Sequence, residues 1–364
     1  MASLAYRYLL DLSRLDGRPL GQVPMAIDWV PATEWGRLVA LRCWGEPARV
    51  AQAAPVIQPV WHEKSGAPFI AGLRVLMRAR GLPEVAAEIP LDYFRSHAVR
   101  ASRTLVDQKK IEAGDRFNFA VSAFPDSTPC QRAGEDDPDF EEMSPPLPLL
   151  PASFRAFLAN ATPYGEQDRR DLPVFVPQPV LDEVIALTEA AGPNETGSIL
   201  LGRLRRDDGD LFLEITAQIP ARHTEADTTK LAFTAETWSA VEAAIALRRG
   251  DEQWASWFHS HPARYWCQKD CPPEAKEKCP LGTSFFSSDD CSVHRAIFWR
   301  AHNVALLVTN APSGLKLAMY GWRQGLIVSR GFHILNSNGA AQPLLPAEAA
   351  PSVGDQTDET SCHS

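Results

Sequence analysis

The chain is 364 residues long, with 45% hydrophobic and 22% charged residues and a formal net charge of −9. That length suits two domains of ordinary size, and the composition is globular rather than disordered or fibrous. An acidic balance with no Lys/Arg run gives no electrostatic footprint for nucleic acid, and no apolar run approaches a membrane span. The first residues, MASLAYRYLLDLSRLDGR, are interrupted by Arg7, Asp11 and Arg14, which leaves no signal-peptide core. A cytoplasmic location is therefore expected, where seven cysteines are not read as a disulfide framework.

Residues 1–125 are expected to form a β-rich domain. YRYLLDL (6–12), RLVALRCW (37–44), APVIQPVW (54–61) and RFNFAVSAF (116–124) are short apolar runs bounded by Gly, Pro and Asp, the pattern of strands. AGLRVLMRARG (71–81) and the stretch Tyr93–Arg100 read as short helices. Cys43 and His62 stand alone and are read as packing or surface residues. Residues 126–172 are acidic and Pro-rich at their start and are expected to be a linker, with a short helix at SFRAFLAN (153–160).

A second domain is expected over 173–337, followed by a small, polar, disordered tail over 338–364. VLDEVIALTEAA (180–191) has helical spacing and stops at Gly192-Pro193. GSILLGRL (197–204) and LFLEITAQIP (211–220) read as paired strands, KLAFT (230–234) as a strand and AETWSAVEAAIALRRG (235–250) as a helix. QWASWFHSHP (253–262) is a strand, SDDCSVHRAIFWRAH (288–302) a helix, and VALLVTN (304–310) with LKLAMYGWR (315–323) a hairpin. Helices among mostly antiparallel strands give an α/β layered domain.

The chemistry sits in this second part. In a strand, residues i and i+2 face the same side, so His259 and His261 present two imidazoles together. HxH occurs in several zinc hydrolases. A metallo-β-lactamase-like site needs HxHxDH, whereas Pro262, Ala263 and Arg264 follow here; an amidohydrolase barrel needs far more chain than the 103 residues after His261. Downstream, Ser287-x-x-Asp290 offers a carboxylate, although Ser and Asp at that spacing also cap a helix. Two histidines and one carboxylate would leave a fourth tetrahedral position for water. Glu195 lies at the entrance of the GSILLG strand, where acidic residues are usually just solvated.

Taken together, Glu195 with GSILLG, His259-Ser260-His261-Pro262 and Ser287-Ser288-Asp289-Asp290 occur in an order that resembles the JAMM/MPN+ (JAB, Mov34-type) metalloprotease family over about 173–335. The resemblance implies a cytidine-deaminase-like layered domain of mixed sheet and helices with a catalytic Zn2+. It assigns His259, His261 and Asp290 as metal ligands, Glu195 as general base and Ser287 as oxyanion donor. The implied substrate is an isopeptide or peptide bond after the C-terminal Gly of a ubiquitin-like protein, in a bacterial conjugation or antiviral defence system, with E1/E2-like enzymes as further partners. A peptidase for a sulfur-carrier-like precursor and a non-catalytic zinc-organised binding module are the alternatives. The loop from Pro262 to Phe286 is 25 residues, longer than in the family, which leaves Asp289 as a rival to Asp290. That loop holds Cys267, Cys271 and Cys279, with Cys291 just beyond; a second, structural zinc on these four (His294 replacing Cys291) and free or redox-sensitive thiols both stay open.

Overall fold

A computed structural model describes residues 6–63, 68–125, 148–221, 224–226, 231–248, 251–266, 272, 274–275, 279 and 283–336. The chain is mixed α/β and divides into two compact units. The first comprises the described residues up to 125 with Gln324–Leu326, and the second the remainder.

The first unit runs β1 (Tyr6–Arg14), β2 (Pro19–Pro24), α1 (Val30–Trp44), α2 (Pro47–Gln52), β3 (Pro55–Trp61), β4 (Ile70–Met77), β5 (Val85–Pro90), a 3₁₀ turn (Leu91–Phe94), α3 (Arg95–Asp107) and β6 (Phe117–Pro125). Its strands form two antiparallel sheets, ordered β2-β1-β6 and β3-β4-β5, joined by a bridge between Phe69 and Ser122. Two expectations are overturned here. The run at 37–44 is the second half of α1, whose buried Trp35, Leu38, Leu41 and Trp44 repeat at helical spacing. Eight residues were too short a window to show that period. The run at 71–81 belongs to β4, the middle strand of its sheet, where Leu73, Val75, Leu76 and Met77 are all buried. A strand covered on both faces loses its alternation and reads like a helix.

The second unit continues with β7 (Leu149–Pro151), α4 (Phe154–Ala159), β8 (Ala161–Tyr164), β9 (Val174–Pro177), α5 (Gln178–Ala191), β10 (Gly197–Asp207), β11 (Asp210–Pro220), β12 (Thr224–Ala226), β13 (Leu231–Phe233) and α6 (Ala235–Arg248). It ends with β14 (Gln253–His261), α7 (Ala263–Trp266), α8 (Ser288–Ile297), β15 (Val304–Ala311), β16 (Gly314–Arg323), β17 (Leu326–Arg330) and β18 (Phe332–Leu335). Ten strands make one sheet in the order β17-β16-β15-β14-β10-β11-β9-β18-β8, with β7 also on β10. The linker expected over 126–172 is therefore too long, because β7, α4 and β8 belong to this unit. Leu204 pairs with Leu149, and Phe332 with Tyr164. Segments of three or four residues carry too little pattern to be seen in sequence.

The sheet is also less antiparallel than expected. β14 and β15 run parallel, from Ser256 opposite Val304 to His261 opposite Thr309. Parallel neighbours require a crossover, and α8 lies on it. Helix α8 stops at Ile297, short of the expected 302: the Asn303 side chain accepts from the Arg300 amide and donates to the Ala255 carbonyl, fixing a turn there. Between sheet and helices lies a core of Ile199, Leu201, Val241, Trp257, Phe298 and Ala305. Gly202 marks a bulge of β10, and a Cβ there would fall 2.7 Å from the Glu214 carbonyl oxygen. The expected tail over 338–364 lies outside the described residues. No helix among the described residues is long and apolar enough to cross a membrane.

Candidate metal centre

β14 is buried from Ala255 to His261 because β10 flanks it on one side and β15 on the other. Alternation along the strand puts Trp257, His259 and His261 on one face and Ser260 on the other. Ser260 is used structurally: its hydroxyl accepts from the Thr196 amide at 3.0 Å and its amide donates to the Thr196 carbonyl. The two histidines are 1% and 3% exposed. Their Nε2 atoms lie 3.0 Å apart.

Asp290 reaches them from the first turn of α8. Ser287 caps that helix, accepting from the Asp290 amide at 3.1 Å, while Asp290 Oδ2 accepts from the Ser287 amide at 2.8 Å. This capping box leaves Oδ1 facing His259 Nε2 at 3.2 Å, with Oδ2 3.5 Å from His261 Nε2. Asp290 is buried and its neighbour Asp289 is exposed, so only Asp290 meets the histidines.

Burial opposes ionisation of Asp290, but the imidazoles of His259 and then His261 outweigh it and hold the carboxyl below the ordinary carboxylate range. Burial lowers the pKa of His261, against the opposing pull of Asp290.

These three side chains have ligating atoms within 4.8 Å of one another, a group that can hold a metal ion. Ligands 2.0–2.2 Å from a tetrahedral ion lie about 3.3 Å apart, close to the 3.0 Å between the two imidazole nitrogens and the 3.2 Å from His259 Nε2 to Asp290 Oδ1. Two imidazole nitrogens and a carboxylate oxygen are a donor set compatible with zinc. The residues present fit such an ion.

Glu195 is 6% exposed and lies two residues before the β10–β14 ladder begins at Gly197. Gly197 pairs with His259 antiparallel, and Thr196 exchanges hydrogen bonds with Ser260. Ser287, as the helix cap, sits three residues from Asp290 with its hydroxyl oxygen engaged by an amide, which leaves the hydroxyl proton to donate.

Of the cysteines, Cys267 and Cys271 lie outside the described residues, while Cys279 and Cys291 are half-buried. His294, offered above in place of Cys291, is instead fully buried and accepts from the Trp257 indole at 3.1 Å. Sequence reasoning assigned no role to the aromatic residues around the centre. Trp257 stacks on His259 with centroids 4.7 Å apart, and Trp266 and Phe285 lie 5.3 and 5.0 Å from the His261 ring. The signal for Trp257 was its position two residues before His259.

No family model matches the chain, and no curated protein matches it. Among solved structures it is similar to the solution structure of protein DSY2949 from Desulfitobacterium hafniense, at 18% identity and a TM-score of 0.30, over 44% of this chain and 92% of that one. A likeness that distant has no bearing on the chemistry of the centre.

Proposed function

We propose that this chain is a zinc-dependent hydrolase of JAMM/MPN+ type, an isopeptidase or peptidase acting after the C-terminal Gly of a ubiquitin-like protein. What supports the reading is one arrangement: His259, His261 and Asp290 converge in a buried group, and the buried Glu195 lies two residues before the first pair of the β10–β14 ladder, Gly197 with His259. The substrate class comes from the resemblance of the motifs alone.

Zinc held by His259, His261 and Asp290 would supply a Lewis acid that acidifies water and polarises a carbonyl. Glu195 takes the proton of the attacking water and hands it to the leaving amine, so its carboxylate is restored at the end of each cycle. Ser287 donates a hydrogen bond from its hydroxyl to the carbonyl oxygen as negative charge builds there. The capping box holds both Ser287 and Asp290 in place before substrate arrives.

The test is Glu195→Gln, assayed on a ubiquitin-like protein fused through its C-terminal Gly to a fluorogenic amine, with zinc per chain measured alongside. Hydrolysis is expected to drop by about 10²-fold or more with zinc content unchanged. Zinc bound but no hydrolysis in the wild type would favour a binding module. Undiminished hydrolysis in the variant would remove Glu195 from the chemistry.

A further inference from the structure

The geometry points to Trp257 and His294 as positioning residues that set the orientation of the His259 imidazole, an inference that rests on His259, His261 and Asp290 forming a metal centre. A histidine ligand usually has its ring fixed by a hydrogen bond from the nitrogen that does not bind the metal. Here Nδ1 of His259 is buried and has no hydrogen-bond partner among the described residues. The last torsion of a histidine is broad and two-fold, so no polar contact at Nδ1 helps to fix the ring.

Stacking takes over that task. The Trp257 indole lies at 13° to the His259 ring with centroids 4.7 Å apart, both projecting from the same face of β14. Trp257 also lies 10° from the plane of Phe298 at 5.8 Å. A flat ring held against an imidazole blocks its rotation only if the flat ring cannot itself turn. The Trp257 Nε1–H is tied to His294 Nδ1 at 3.1 Å.

An indole nitrogen only donates, so His294 Nδ1 must accept and its proton must sit on Nε2. Burial enforces that neutral state by pushing the His294 pKa down to about 3. His294 lies one helical turn beyond Asp290 on α8, so one helix delivers both a candidate ligand and the lock on the ring behind another.

Zinc affinity of the full chain, measured by competition with a chromogenic chelator, tests this in Trp257→Phe, His294→Phe, the double variant and His294→Gln. Phenylalanine at 257 keeps a ring to stack but loses the N–H. Near-UV circular dichroism identifies variants that remain folded. Each Phe variant is expected to bind zinc about 10–100-fold more weakly. The double variant should be no weaker than either single one, because both remove the same contact. His294→Gln, whose amide oxygen can accept, should recover most of the loss, and the slow exchange of the Trp257 indole proton should vanish in His294→Phe alone.

If His294→Phe does not fold, Trp257→Phe and His294→Gln still decide the matter. Folded Trp257→Phe or His294→Phe with wild-type affinity, or losses that multiply in the double variant, would overturn the relay while leaving the metal centre standing. A wild type that binds no zinc would overturn the centre and the relay together.

Discussion

At Asp290 one carboxylate serves both the helix and the candidate centre: one oxygen accepts from the Ser287 amide and the other faces His259. The capping box leaves Oδ1 to His259, while Oδ2 serves the cap and also lies 3.5 Å from His261 Nε2. Ser287 is likewise shared, its oxygen serving the cap and its proton remaining for a substrate carbonyl. Ser287→Ala should therefore show two separable effects. Loss of the cap should destabilise the chain by about 1 kcal/mol in thermal unfolding. Loss of the oxyanion donor should lower hydrolysis by about 10²–10³-fold, with zinc content unchanged. A variant that is less stable yet hydrolyses as fast would leave Ser287 only the cap.

At the scale of elements, the strand that carries the histidines is anchored at its start by ions. Glu252, just before β14, is 8% exposed and accepts two hydrogen bonds from Arg248 at the end of α6, with Arg203 of β10 at 3.7 Å. The Arg248 hydrogen bond outweighs the burial of Glu252 and pulls its pKa from 4.5 down to about 2. A depressed carboxylate pKa stabilises the fold fully above the unfolded value and progressively less as pH falls through the folded one. Stability from this group is thus present above pH 4.5 and lost as pH approaches about 2. Glu252→Gln should cost on the order of 2 kcal/mol at pH 7 and flatten the acid limb of the stability profile. Urea unfolding at pH 7 and pH 3 checks this; an equal cost at both would mean the charge does not matter.

For the whole molecule, the chain divides into two compact units, and all three candidate ligands lie in the second. Leu10 is fully buried in β1 of the first unit. Leu10→Ala should cost that unit about 2–5 kcal/mol, seen as an early transition in calorimetry, while zinc per chain stays at the wild-type level. A parallel loss of zinc would show that the second unit depends on the first.

Much of the second unit was legible in sequence because long elements with a clear period leave a strong signal. β10, β11, β14, β15 and α5 lie where their patterns put them. HxH told which faces the histidines share, since that follows from strand geometry alone. Where pattern was short or doubly buried it failed, as at α1, β4, β7 and β8. Sequence also left Asp289 and Asp290 as rivals and offered His294 to a cysteine site. Those questions depend on which way a helix points when it meets a strand 30 residues away in the chain. Only packing of α8 against β14 turns Asp290 inward, leaves Asp289 in solvent and gives His294 to Trp257. Local chemistry chose the residue types, and the tertiary structure decided which of them meet.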